Sequence, residues 1–111
     1  MSELTKFEEQ ILLSVWNLQD NAYGISIYNH IRMITNKKMA IGGIYFPLER
    51  LVEKGFLNAR QGESTHVRGG QSKRYYTLTK QGYNKLLDSR EIQEAFWRGL
   101  PKMSFMREEK T

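Results

Sequence analysis

The chain has 111 residues, 40% of them hydrophobic and none cysteine. This fits one globular domain with a modest core and excludes a disulfide framework or a cysteine-ligated metal site. No apolar run is longer than Ile11-Leu12-Leu13, which excludes a membrane-spanning helix. The net charge of +5 is unevenly spread: residues 1–20 hold one base against four acids (−3), residues 21–80 ten against three (+7), and residues 81–111 six against five (+1).

The chain opens on Met1-Ser2-Glu3-Leu4-Thr5, with neither the basic nor the apolar stretch of a secretory signal, so a cytoplasmic location is the default expectation. Thr5-Lys6-Phe7-Glu8 reads as a capping box that starts a first helix running to about Leu18. Phe7, Ile11, Val15 and Leu18 form its apolar stripe, widened by Leu12, Leu13 and Trp16. A helix apolar over so much of its circumference needs cover on more than one side, and a second subunit is the natural second cover. Asn17 to Asn21 is turn chemistry. Tyr23-Gly24 then leads into a second helix carried by Ile27, Ile31 and Ile34, ending before the basic connection Asn36-Lys37-Lys38.

Residues 40–55 form the segment on which the rest is organised. Ile44, Leu48, Leu51 and Val52 recur at helical spacing and face a core. Lys54-Gly55 is a helix stop, with glycine in the left-handed position and Phe56 closing back on Leu51 or Val52. Pro47 is tolerated only in a first turn, so regular helix is predicted to begin near Gly43 or Ile44, with a bare, glycine-flanked N-terminus. Free N–H groups there suit a phosphate oxygen. The outward side offers Tyr45, Phe46, Glu49, Arg50 and Glu53. A capped core helix with a polar outer face would read the same way.

Beyond Gly55, residues 56–60 can form a strand, and Arg74-Tyr75-Tyr76-Thr77-Leu78 is the strongest strand signal in the chain. Between them Gln61 to Lys73, with Gly62, Arg68, Gly69, Gly70 and Lys73, reads as a basic finger. Thr79 is placed to cap a last helix that runs to about Gly99 and is stopped by Pro101. Tyr83, Leu86 and Leu87 cluster on one side of that helix, and Ile92, Ala95, Phe96 and Leu100 nearly opposite, with Asp88-Ser89-Arg90-Glu91 between. Either the first half packs on its own domain and the second on a partner, or the helix breaks near Ser89. Residues 102–111 read as a mobile tail.

The fold class is therefore α+β, mainly α: a winged helix-turn-helix of three helices and a two-stranded wing over residues 1–80, a C-terminal dimerisation helix over 81–100, and a tail over 101–111. At this point the chain resembles the PadR-like transcriptional regulators, particularly short members with a single C-terminal helix. The matching stretches begin with Phe7-Glu8-Glu9-Gln10-Ile11-Leu12-Leu13, Asp20-Asn21-Ala22-Tyr23-Gly24-Ile25 and Gly42-Gly43-Ile44-Tyr45. They continue with residues 48–57 and with residues 68–82, Arg68-Gly69-Gly70 through Lys73-Arg74-Tyr75-Tyr76 to Leu78-Thr79-Lys80-Gln81-Gly82. The resemblance implies a dimeric repressor with its third helix in the major groove, its wing on the backbone or minor groove, and its last helix paired with the partner's first. By position, Tyr45 matches the recognition-helix tyrosine, Tyr23-Gly24 the start of the second helix, and Lys73 with Arg74 the basic end of the wing. The family commonly has proline and then a small hydroxyl residue after that tyrosine. Here Phe46-Pro47 stands instead, and Phe46 is a candidate for a thymine methyl.

The candidate DNA contacts follow. Lys37, Lys38, Arg68, Lys73 and Arg74 would neutralise phosphates. Tyr45 would bond a phosphate or pack on sugar, Tyr23 is a further candidate contact, and Gly42 and Gly43 would allow close backbone approach. Arg50 would read a guanine, or else pair with Glu49 or Glu53. Phe7, Ile11, Ile92, Phe96 and Leu100 are the candidate dimer contacts. Trp16, Phe96 and Trp97 could line a place for a small aromatic effector, or be plain core. No cofactor or metal is expected: His30 and His66 lack metal-ligand spacing, and no catalytic motif is present. The competing reading is a winged-helix protein-interaction module without specific DNA binding, favoured by the phosphate-repelling acids Glu49 and Glu53.

Overall fold

The computed structural model describes residues 3–62 and 73–101. Helix α1 (Lys6–Leu18) is followed by a 3-10 turn (Gln19–Asn21) and α2 (Gly24–Thr35). A second 3-10 turn (Ile41–Ile44) leads into α3 (Tyr45–Glu53), and strands β1 (Leu57–Gln61) and β2 (Arg74–Leu78) precede α4 (Lys80–Arg98). The strands form an antiparallel pair with Leu57 opposite Leu78 and Gln61 opposite Arg74. This is a winged helix-turn-helix, mainly helical, as the order of sequence signals predicts.

Each element starts and stops on local chemistry. The Thr5 hydroxyl accepts from the Glu8 N–H at 3.0 Å, and the Glu8 carboxylate accepts from the Thr5 N–H at 2.9 Å. Glu8 is itself buried and lies 3.5 Å from the Lys54 ammonium, so the start of α1 is tied to the end of α3. The Tyr23 N–H before α2 is satisfied by the Ser26 hydroxyl at 2.9 Å, and α2 ends on Asn36 in the left-handed region. Helix α3 stops as predicted. Gly55 has φ +84°, its N–H bonds to the Val52 carbonyl, and the Phe56 N–H reaches back to the Leu51 carbonyl. The Thr79 hydroxyl accepts from the Gly82 N–H and donates to the Gly55 carbonyl, joining the caps of α3 and α4.

The core is one cluster: Ile11, Leu12 and Val15 from α1, Ala22, Ile27 and Ile31 from α2 and its approach, Ile44, Leu48 and Leu51 from the α3 segment, and Leu57 and Tyr76 from the wing. Fully burying one such aliphatic side chain is worth about 1.5–3 kcal/mol. Gly82 allows α4 to approach closely, because a Cβ there would stand 2.3 Å from the Phe56 carbonyl oxygen.

Several expectations need correction. Ile34 is exposed: Ile27 and Ile31 lie one turn apart on the buried face, and Ile34 falls off it. Ile11 is wholly buried in its own chain's core and has no surface left for a partner. The predicted bare helix start is occupied by the 3-10 turn, where the Gly43 N–H bonds to the Ala40 carbonyl and the Tyr45 N–H to the Gly42 carbonyl. Strand β1 begins at Leu57, since Phe56 is spent on closing α3. Of the two alternatives for α4 the unbroken helix is the one found: it runs through Ser89, whose hydroxyl donates to the Glu9 carboxylate on α1. Arg68, His66 and the tail over 102–111 lie outside the described residues.

Candidate nucleic-acid interface

Helix α3 turns Leu48 and Leu51 inward and leaves Tyr45, Phe46 and Arg50 outside, with Phe46 71% exposed. Pro47 sits third in the helix, where no intrahelical donor is needed. The Tyr45 ring lies across Gly24 at the start of α2. A Cβ on Gly24 would come within 2.5 Å of that ring, so the Tyr23-Gly24 and Gly43-Ile44-Tyr45 signals are two halves of one contact. The Arg50 guanidinium stands 5.8 Å from the centre of the Phe46 ring. Among the described residues Arg50 pairs with neither Glu49 nor Glu53.

Glu49 is instead engaged by the wing. Arg74 donates from Nε and one terminal nitrogen to its two carboxylate oxygens at 2.8 and 2.9 Å, and the Tyr76 hydroxyl donates to it at 2.7 Å. The Arg74 bonds hold the Glu49 carboxyl below its ordinary range against the opposing effect of burial, and raise Arg74 in turn. Tyr76 is pushed up to about 12, first by burial and then by the bond to Glu49. Arg74, a candidate phosphate contact, is thus paired within the chain, and the charge of Glu49, one of the two acids on α3, is offset by it. Reading the sequence did not find this pairing, because its partners lie 25 residues apart.

Beside this clamp, the Tyr23 and Tyr75 rings meet edge to face at 5.6 Å, and the Tyr76 N–H bonds to the Ala22 carbonyl at 2.9 Å. The approach to α2 is thereby joined to β2 by an isolated antiparallel bridge between Tyr23 and Tyr75. Lys73 lies 4.1 Å from the centre of the Tyr23 ring and Arg60 4.8 Å from that of Tyr75. At exposed sites such contacts are worth about 0.5–1 kcal/mol, enough to orient a cation while leaving its charge available. Lys37 and Lys38 are exposed on the connection after α2, which is anchored where the Tyr28 hydroxyl donates to the Met39 carbonyl. Gly42 and Gly43 are exposed, and a Cβ at either would meet nothing within 4 Å.

The opposite face is apolar. A groove of about 450 Å³ between α1 and α4 is lined by Leu13, Trp16, Leu78, Tyr83, Leu86 and Leu87, with polar groups at its edge. Glu9, one of these, has its carboxyl raised by burial, partly offset by Lys6. Trp16 lines the groove, whereas Phe96 and Trp97 do not, so one chain does not bring the three aromatics together. Phe7 is partly covered by its own core; Ile92, Phe96 and Leu100 are exposed. His30 is a helix-face residue, its Nδ1 2.9 Å from the Ser14 hydroxyl. Among the described residues no acidic, histidine or cysteine group is arranged to hold a metal, and no helix is long and apolar enough to cross a membrane.

Residues 12–88 match the sequence profile of the transcriptional regulator PadR-like family. The chain belongs to the PadR-like family. Membership carries the general activity, DNA-binding transcriptional regulation, and not catalysis. No curated protein matches the chain. Among solved structures it is similar to a transcriptional regulator from Clostridium thermocellum, at 23% identity over 86% of this chain and 91% of that one, with a TM-score of 0.63. A PadR family transcription regulator from Clostridium difficile R20291 matches at 24% identity, covering 85% and 90%, with a TM-score of 0.57. RosR of H. salinarum matches at 20% identity over 96% and 87%, with a TM-score of 0.61. At these identities the solved structures show the PadR-like winged-helix fold and nothing finer.

Proposed function

We propose that this PadR-like regulator is a repressor that binds a pseudo-palindromic operator as a homodimer, with α3 in the major groove and the wing on the backbone. The observation that carries the reading is the outer face of α3, where Tyr45, Phe46 and Arg50 stand exposed, with the exposed cations Lys37 and Lys38 on the connection that precedes it and Lys73 on the wing. In this reading Lys37, Lys38 and Lys73 neutralise phosphates and set the register. Tyr45, backed by Gly24, bonds a phosphate or packs on sugar. Gly42 and Gly43 let the backbone approach, since nothing in the chain's own packing requires glycine at either position. Arg50 reads a guanine, and Phe46 meets a thymine methyl while steadying the guanidinium. Residues 1–80 act as the DNA-binding unit and the exposed second half of α4 as the dimerisation element. A small aromatic effector would have to use the groove beside Trp16.

Repression then needs no chemistry beyond occupancy, because a dimer seated on the operator excludes other proteins from it. The test is a salt titration on a duplex selected from a random pool by the protein. Affinity should fall log-linearly with salt, and Lys37→Gln with Lys38→Gln should flatten the slope by about 0.9 for each phosphate that is no longer neutralised. Arg50→Ala should relax preference at one base pair of each half-site, by about 1–3 kcal/mol. Indifference to every duplex at low salt would leave a protein-interaction module in its place.

A further inference from the structure

On the wing, two adjacent cations are held differently. Lys73 lies over the Tyr23 ring and, among the described residues, has no carboxylate partner. Arg74 is paired: its Nε and one terminal nitrogen face both oxygens of Glu49, an arrangement in which planar guanidinium and carboxylate match each other bidentately. The carboxylate is fixed from a second direction by the hydroxyl of Tyr76, a buried residue whose own N–H is bonded to the Ala22 carbonyl. Glu49 therefore has three donors, all from β2, and these join the recognition helix to the wing. Both members of the ion pair are nearly half exposed, with side-chain exposures of 43% for Arg74 and 45% for Glu49. The pair stands where a duplex lying on α3 and the wing would reach it.

We infer that Glu49 is a specificity residue acting through Arg74: it withholds one cation per protomer from phosphate and sets the wing against α3, so that DNA of arbitrary sequence is bound more weakly than the number of bases suggests. This rests on the DNA-binding reading above. Binding to arbitrary sequence is driven almost entirely by cations on phosphates, so removing one cation from service acts there directly. Operator binding gains as well from a wing already oriented before contact. Glu49 is thus a positioning residue and touches no base.

The experiment compares wild type, Glu49→Gln, Arg74→Gln and the double variant on a duplex of scrambled sequence, each titrated with salt. The number of phosphates engaged is read from the slope of log affinity against log salt. Glu49→Gln should steepen the slope by about 0.9 per protomer, as the freed Arg74 takes a phosphate. Arg74→Gln alone should leave the slope at the wild-type value, and adding it to Glu49→Gln should restore that value. The ratio of operator to scrambled affinity should fall in Glu49→Gln. An unchanged slope in Glu49→Gln, with wild type binding normally, overturns the inference alone. So does a slope flattened by about 0.9 in Arg74→Gln, which would mean that Arg74 already sits on a phosphate. A wild-type protein that binds no duplex at low salt overturns the DNA-binding reading and this inference together.

Discussion

The two faces of the molecule are finished to different degrees. On the face that carries α3 and the wing, exposed groups are held by neighbours. Tyr45 rests on Gly24, Tyr23 meets Tyr75 and Lys73, and the Glu49 carboxylate has three donors. On α1 and α4, by contrast, Leu13, Trp16, Phe96, Trp97 and Leu100 are exposed with no comparable organisation, Phe96 78% and Trp97 66% exposed. A polar surface must be arranged group by group, because hydrogen bonds are directional and an unmet one is costly. An apolar surface needs only cover, since the hydrophobic effect scales with area and not direction. The first face is ordered for a ligand that offers charges at fixed positions. The second is suited to another protein surface, and we propose a second copy.

The largest effect is expected at the core beneath α3 and the wing. Leu51→Ala empties a fully buried position under α3 and should cost about 2–5 kcal/mol in urea unfolding. A much smaller loss would mean that α3 is not seated as described. Next, Phe96→Ser with Trp97→Ser should leave the winged unit folded yet weaken self-association at least tenfold by sedimentation, since each aromatic removes about 1.5–3 kcal/mol of burial. A loss of thermal stability without a change in association would contradict the division between faces. Gly24→Ala comes third. It drives a Cβ into the Tyr45 ring and should cost about 1–3 kcal/mol while shifting Tyr45 fluorescence or its NMR resonances.

The smallest effects come from titration at the clamp. The Glu49 carboxyl is held below its ordinary value of 4.5 by the Arg74 bond. Its contribution is therefore present above pH 4.5 and is lost as pH falls through the lower native value. With both partners nearly half exposed this is worth at most about 1 kcal/mol, and Glu49→Gln should remove that part of the acid dependence. Tyr76 moves in the other direction. Its native value is raised from 10.0 to about 12, so its contribution is complete below pH 10 and disappears as pH rises towards 12. Tyr76→Phe should flatten the alkaline limb of stability against pH.

Features encoded within a few residues were legible in the chain. The Thr5–Glu8 capping box, the Gly55 helix stop and the Thr79 cap each depend on neighbours three to five residues away, and the strand Arg74–Leu78 announces itself by its own composition. What escaped depended on distance through space. Nothing near Glu49 announces Arg74, and nothing near Tyr45 announces that its ring needs the missing side chain of Gly24. Ile11 and Ile34 failed for a related reason: a helical stripe marks an apolar face, and the neighbouring helices decide how much of it is covered. The polar run Asp88-Ser89-Arg90-Glu91 suggested a break in α4 because it interrupts the pattern. The helix persists there, with Ser89 finding Glu9 on α1.

In the function we propose, α3 and the wing read DNA, and the exposed apolar residues of α4 bring two copies to the same site. The stoichiometry of the complex tests both at once. A duplex selected by the protein from a random pool, titrated to saturation and weighed by sedimentation or native mass spectrometry, should carry two chains, and its selected sequence should be a pseudo-palindrome. The Phe96→Ser, Trp97→Ser variant should need higher concentration to fill the same duplex with two chains. One chain per duplex at saturation, on a site without two-fold symmetry, would contradict the account.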